Sequence, residues 1–192
     1  MLEFEKKRML SKNAMQYLEH CNFGEKEKAV QVNYYYDTSD FSLNRSGITC
    51  RIREKKGQYT ATIKAHRLCG SDCSTEHSRS LQNGKDDSIF RNMGLIYQGA
   101  LKTRRTVLQP EIGIKIMLDR NKYLGTVDYE LEIEYAPEKE LLAAAVLAEI
   151  ETVLREKGLS GDTQLYSRDQ NGAKSKSERF FARKKTLFGK EK

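Results

Sequence analysis

What most constrains the fold of this chain is a parity rule, in which charged and apolar side chains alternate one for one over several short segments. The opening Leu2-Glu3-Phe4-Glu5-Lys6-Lys7 sets the pattern. In a β-strand successive side chains point to opposite faces, so Glu3, Glu5 and Lys7 share one surface while Leu2 and Phe4 share the other. The pattern returns at Arg51-Ile52-Arg53, at Thr60-Ala61-Thr62-Ile63-Lys64 and at Glu130-Leu131-Glu132-Ile133-Glu134. If these strands lie in one antiparallel sheet whose apolar face is covered by helices, the other face gathers carboxylates beside Arg and Lys. Such a face calls for metal ions and a polyanion.

The remaining segments supply the rest of a sheet. Residues 2–10 read as a first strand, followed by a helix capped by Ser11 and running through Ala14, Met15, Leu18 and Cys21. Val30–Thr38, Ile48–Lys55, Tyr59–His66 and Ser74–Leu81 read as further strands, the middle two joined by a turn at Lys55-Lys56-Gly57. A short helix over Asp87–Met93 precedes a strand over Tyr97–Leu108 that Pro110 is expected to break. Glu111–Arg120 and Thr126–Tyr135 complete an even set that can close on itself, in up-and-down order, with first and last strands as neighbours. Pro137 opens a helix over Glu138–Lys157 with Leu142, Val146, Ile150 and Val153 on one stripe and Gly158 as its stop.

Composition bounds the function classes. At 192 residues, 38% apolar and 32% charged, the chain suits one compact, highly charged domain over residues 1–192, with a basic helical tail from about residue 177. The formal charge of +7 favours an anionic partner, but much of the excess lies between Lys174 and Lys192. A charge run of that kind is ordinarily a solvated helix end, and no nucleic-acid partner is expected from it. No stretch approaches the ~20 apolar residues of a membrane helix, and the acidic opening is not a targeting peptide. A cytoplasmic protein, monomer or homodimer, is expected. Cys21, Cys50, Cys69 and Cys73 are then free thiols. His66, Cys69, Cys73 and His77 could ligate zinc, but their spacing matches no common zinc knuckle.

With the sheet curled so that its polar faces point inward, Glu3, Glu5, Glu130 and Glu132 converge from the first and last strands. Clustered hard oxygen ligands suit Mg²⁺ or Mn²⁺ rather than zinc. Arg51, Arg53, Lys64 and one of Arg104 or Arg105 would face them, and Arg grips phosphate oxygens bidentately. An ordinary solvated sheet, with cross-strand pairs contributing about 0.2–1 kcal/mol each, accounts for one such segment. Recurrence on four segments favours a site.

The Glu3-x-Glu5-x-Lys7 opening, Tyr35-Tyr36-Asp37-Thr38 leading to Leu43 and Gly47, Arg51-Ile52-Arg53, Thr62-Ile63-Lys64, Leu118-Asp119 and Glu130-Leu131-Glu132 resemble, in order and spacing, the CYTH superfamily of triphosphate tunnel metalloenzymes. The likeness extends to about residue 180 and is nearest to the small stand-alone bacterial members, on Thr75-Glu76-His77 and Leu118-Asp119-Arg120-Asn121. It implies an α+β fold: an eight-stranded antiparallel β-barrel tunnel with a charged interior, flanked by helices. By the same resemblance Glu3, Glu5, Glu76, Asp119, Glu130 and Glu132 are metal ligands, and Arg51, Arg53, Lys64, Arg105 and Lys174 or Lys176 contact phosphate. Lys7 would act with Glu5 and Glu132 in catalysis, as a general base if burial and neighbouring cations depress its pKa.

The expected activity is Mg²⁺- or Mn²⁺-dependent hydrolysis of a triphosphate-containing small molecule, inorganic tripolyphosphate foremost. A class IV-type adenylyl cyclase would need an adenine pocket, which no segment encodes recognisably, and a thiamine triphosphatase would want aromatic stacking. A non-enzymatic polyphosphate- or RNA-binding module is the alternative from another class, and its binding would outlast metal removal.

Overall fold

Alternating charge resolves into eight antiparallel strands: β1 (Leu2–Leu10), β2 (Lys26–Asp37), β3 (Ile48–Lys55), β4 (Gln58–His66), β5 (Cys73–Leu81), β6 (Ile96–Glu111), β7 (Ile114–Tyr123) and β8 (Thr126–Tyr135). The computed structural model describes residues 2–21, 26–66, 73–159 and 174–188. The strands close into a barrel in the order β1-β5-β4-β3-β2-β6-β7-β8. This corrects the expected up-and-down order. The β1–β8 neighbourhood is as expected, with Lys7 opposite Glu132, but β1 also pairs with β5, and β2 with β6. The physical reason is the link after β1: it carries helix α1 (Lys12–His20), so no tight hairpin ties β1 to β2.

Tight hairpins do fix β3 to β4 and β7 to β8. Lys56 and Gly57 turn the first with φ of 52° and 75°, and Leu124 and Gly125 turn the second with 42° and 75°. Paired left-handed residues match the twist of the flanking strands. Pro110 does not end β6 as expected. The strand runs through it to Glu111, and a register shift between Leu108 and Glu111 takes up the residue that cannot donate to the ladder.

The outer face carries two apolar cores. Over β7 and β8, α1 and α4 (Glu140–Glu156) bury Leu18, Leu118, Leu131, Ile133, Leu147 and Ile150. Ser11 accepts a 3.0 Å hydrogen bond from the Ala14 backbone N–H and caps α1. Pro137–Lys139 forms a 3₁₀ turn ahead of α4 rather than its first residues. The buried stripe of α4 is Ala143, Leu147, Ile150 and Leu154: Ile150 is as expected and the other three lie one position on, with Leu142 and Val146 partly buried beside them. Beyond the short helix α2 (Ser42–Arg45), α3 (Ser88–Arg91) helps cover β3 and β4, where Phe90 packs with Tyr36, Cys50, Ile52 and Ala61.

The C-terminal helix α5 (Lys176–Phe188) is not a solvated tail. Phe180 and Phe181 are buried against Tyr35, Leu101 and Tyr123, inward-facing residues of the barrel, each contributing about 1.5–3 kcal/mol of burial. Its start is set by a reciprocal cap: Ser175 Oγ accepts from Glu178 N–H at 3.3 Å, and Glu178 Oε2 accepts from Ser175 N–H at 2.7 Å. Close approach is possible because β6 carries Gly99 at φ 137°, where a Cβ would lie 2.8 Å from Phe180 Cζ. Among the described residues no helix is long and apolar enough to cross a membrane.

Candidate active site

The pleat of the strands turns Glu3, Glu5 and Lys7 of β1, Arg51 and Arg53 of β3, Lys64 of β4, Glu76 of β5, Arg105 of β6, and Glu132 and Glu134 of β8 into one cavity of about 100 Å³. Lys176 enters it from α5, together with Ser175 and Ser177. Asp119 of β7 and Glu130 of β8 lie deeper and are fully buried. The acids concentrate on β1, β7 and β8 and the cations on β3 and β4, so the lumen is polarised across its width.

Ion pairs join the two sides. Lys7 Nζ lies 3.1 Å from Glu5 and 3.2 Å from Glu132. Lys64 Nζ lies 2.8 Å from Glu3 and 3.7 Å from Glu5, and Arg51 meets Glu76 at 3.3 Å. Arg105 donates to both carboxylate oxygens of Asp119, at 2.7 and 2.6 Å, and to Glu132 at 2.6 Å. This bidentate fork settles the neighbouring-arginine question: Arg105 faces the lumen and Arg104 is exposed outside. Arg53 donates at 2.9 Å to Asn33, a neutral partner.

One carboxylate group stands apart in density. Ligand oxygens of Asp119, Glu130 and Glu132 lie within 4.8 Å of one another, all buried. Lys176 Nζ sits among them, 2.8 Å from Asp119 and 3.0 Å from Glu132, and in contact with Glu130. Three buried hard oxygens round one cation is the donor chemistry of a divalent metal seat. Glu3 and Glu76 pair with cations nearer the rim and are not in this group. Lys174 is exposed and contributes only its carbonyl, which accepts from Arg179; of the lysine pair, Lys176 lines the cavity. The weighed zinc set falls partly outside the described residues, Cys69 among them, and His77 is exposed.

The electrostatics correct one expectation. Burial would lower the pKa of Lys7, but Glu5 and Glu132 outweigh it and raise the ammonium above its usual range. The expected depression does not occur, because the nearest charges are carboxylates rather than cations. Burial would raise Glu5, yet Lys7, Lys64 and Lys176 hold it well below the usual carboxylate range. Asp119 is held at about 2, its burial outweighed by Lys176 and Arg105. Burial, then Arg51 and Arg105, push Arg53 down to about 9. Arg53 is thus the guanidinium an incoming anion would relieve most.

Sequence reasoning missed Arg179. It donates to Asp128 at 2.9 Å and to Glu130 at 2.5 Å, and ties α5 to the lumen. The signal was present: Arg179 stands three residues after Lys176, on the same helix face, and Ser175-x-x-Glu178 spells a capping box.

A closed antiparallel barrel with a polarised, ion-paired lumen defines a tunnel-type protein. The chain belongs to the CYTH domain family, whose model matches residues 1–166. It is 31% identical over 149 residues to a Bacillus subtilis protein named "Putative triphosphatase YjbK", spanning 70% of this chain and 78% of that protein. Among solved structures it is similar to a "putative adenylate cyclase" from Bacillus halodurans, with TM-score 0.65, 28% identity and coverage of 93% of this chain and 97% of that one. It shares its fold with the Hippeastrum protein HpAC1, with TM-score 0.61 and 19% identity over 82% of this chain and 88% of that one.

Proposed function

We propose that this chain hydrolyses a terminal phosphoanhydride bond of a triphosphate in a reaction dependent on Mg²⁺ or Mn²⁺, with inorganic tripolyphosphate as preferred substrate. The observation that carries this reading is the buried Asp119–Glu130–Glu132 group, which reaches through Glu132 the cavity that Arg51, Arg53 and Lys64 also line. The likeness to a protein named as a triphosphatase supports it.

The donor set fits a hard divalent ion, since the three buried carboxylates share one small space. Asp119, Glu130 and Glu132 would hold that ion, with Glu5 and the rim carboxylates Glu3 and Glu76 as further ligands. When bound, the metal neutralises phosphate oxygens and makes the phosphorus more electrophilic. Arg51, Arg53 and Lys64 grip the phosphate chain, Arg53 foremost because no carboxylate already claims it. Arg105 keeps Asp119 and Glu132 in place. Lys7, held charged between Glu5 and Glu132, stabilises negative charge on the transferring group.

The cyclase reading rests on the Bacillus halodurans likeness. It requires a site for adenine, whereas the cavity lining is polar or charged except for Tyr35 and Met117. The two readings part on products. With tripolyphosphate, ATP and thiamine triphosphate offered in turn, the hydrolase releases orthophosphate, fastest from tripolyphosphate. Pyrophosphate appearing from ATP alone would assign the cyclase, and binding without turnover would leave a polyphosphate-binding module.

A further inference from the structure

The outer face of the barrel carries a second concentration of cations, separate from the tunnel. Where the helix cover over β7 and β8 ends, the register stacks like charges directly opposite one another: Lys102 of β6 faces Lys122 of β7, and Arg104 faces Arg120 in the next outward-facing row. Lys102, Arg104 and Lys122 are exposed, and among the described residues no carboxylate pairs with any of the four. The apolar residues flanking them are uncovered as well, Val30 being 49% and Val127 37% exposed.

Stability does not explain this arrangement, because like charges directly opposite on neighbouring strands are destabilising. Edge protection, the usual reason for lysines on a sheet, does not apply either, since the barrel is closed and has no edge. A charged surface kept for solubility intersperses both signs, whereas no carboxylate stands within these two cation rows; Glu54, which accepts from Tyr34 Oη at 2.8 Å, lies beyond them across β2. Beside the cations lies an aromatic shelf. Tyr34, diagonal to Lys102 across the β2–β6 ladder, packs with Tyr97 at 6.5 Å between ring centroids. Lys85 Nζ sits 4.0 Å from the Tyr34 ring centroid and 4.9 Å from that of Tyr97, and Tyr97 is 49% exposed.

We propose that this face binds single-stranded nucleic acid without sequence preference. The two cation rows, about 6.8 Å apart along the strands, track the phosphates of an extended backbone, and the Tyr34–Tyr97 shelf receives a base face. Cations that follow a backbone beside aromatic platforms are the general means of single-strand binding. The four cations point away from the lumen, so this binding is independent of the tunnel and of what it hydrolyses.

The test is fluorescence anisotropy of the full chain with a labelled single-stranded oligonucleotide lacking a 5′-triphosphate, titrated at several salt concentrations. Four phosphate contacts give a slope of log K against log salt of about −3, and Lys102→Gln with Lys122→Gln makes it shallower by about 1.4. Tyr97→Ala weakens binding without changing the slope. Both variants alter exposed positions, so the fold and tripolyphosphate hydrolysis persist. The proposal is overturned if the wild-type chain does not bind the oligonucleotide, or if the double variant binds with unchanged slope. It is also overturned if Tyr97→Ala has no effect while long-chain polyphosphate or anionic vesicles bind equally well, which would make the face a general polyanion surface.

Discussion

Lys176 Nζ occupies the space between Asp119, Glu130 and Glu132 as a cation fixed to the chain. A divalent ion held by the same oxygens therefore has to displace it. Lys176→Met leaves buried carboxylates without their counter-ion, a loss of about 3–5 kcal/mol. The variant should melt lower than wild type in chelator and gain more from added Mn²⁺, read as the rise in Tm. An equal Mn²⁺ response in both would show that the lysine does not sit in the metal's place. On the cation side, Arg53→Ala removes charge-assisted hydrogen bonds of about 1.5–3 kcal/mol each. The expected result is a KM for tripolyphosphate raised about tenfold or more with kcat much less affected; an unchanged KM would contradict the assigned grip. Away from the tunnel, burial and the hydrogen bond to Glu54 push the Tyr34 phenol up to about 12. A folded pKa raised above the unfolded value contributes stability that is present below about pH 10 and lost as pH rises through about 12. Tyr34→Phe should lose less stability than wild type across that window in denaturant titrations. Most of these residues were legible from parity alone, because β-strands enforce it. Adjacent Arg104 and Arg105 were not separable, since their choice depends on where the strand register begins. Lys174 and Lys176 share strand parity and are distinguished only by the Ser175–Glu178 cap.

At the scale of elements, α5 is the piece the sequence reading placed least well. The eight basic residues between Lys174 and Lys192 look in sequence like a solvated run, yet the first turn of α5 puts a lysine at the positive end of a helix dipole. That position is unfavourable in isolation and tolerable here because Asp119, Glu130 and Glu132 surround it. The docking of α5 depends on Gly99. Gly99→Ala adds a Cβ 2.8 Å from Phe180 Cζ at a backbone φ of 137°, and overpacking of this kind costs about 1–3 kcal/mol. We expect a lower Tm together with faster amide exchange in α5 than in β3 and β4. Uniform exchange throughout the barrel would mean that α5 is not held at this contact. Strands and outer helices were read more closely because period-2 and period-3.6 patterns are local. Three of the four α4 stripe positions slipped by one, Ile150 excepted, because a broad apolar face has no sharp centre in sequence.

For the whole molecule, closure of the barrel is what brings Glu5, Arg51, Arg105 and Glu132 from distant segments into one lumen. That an even antiparallel set would close was visible in the parity and turn signals. Its order was not, because β1–β5 and β2–β6 pairing depends on long-range register that no local motif encodes. The central claim is that the charged lumen is a metal-dependent triphosphatase site. Its most direct test is the initial rate of orthophosphate release from tripolyphosphate by the full chain in Mg²⁺, in chelator, and in Mg²⁺ with Glu130→Gln. We predict turnover only for the wild type with metal, with losses of at least a hundredfold in the other two conditions. Equal rates in chelator, or full activity of Glu130→Gln, would contradict the account.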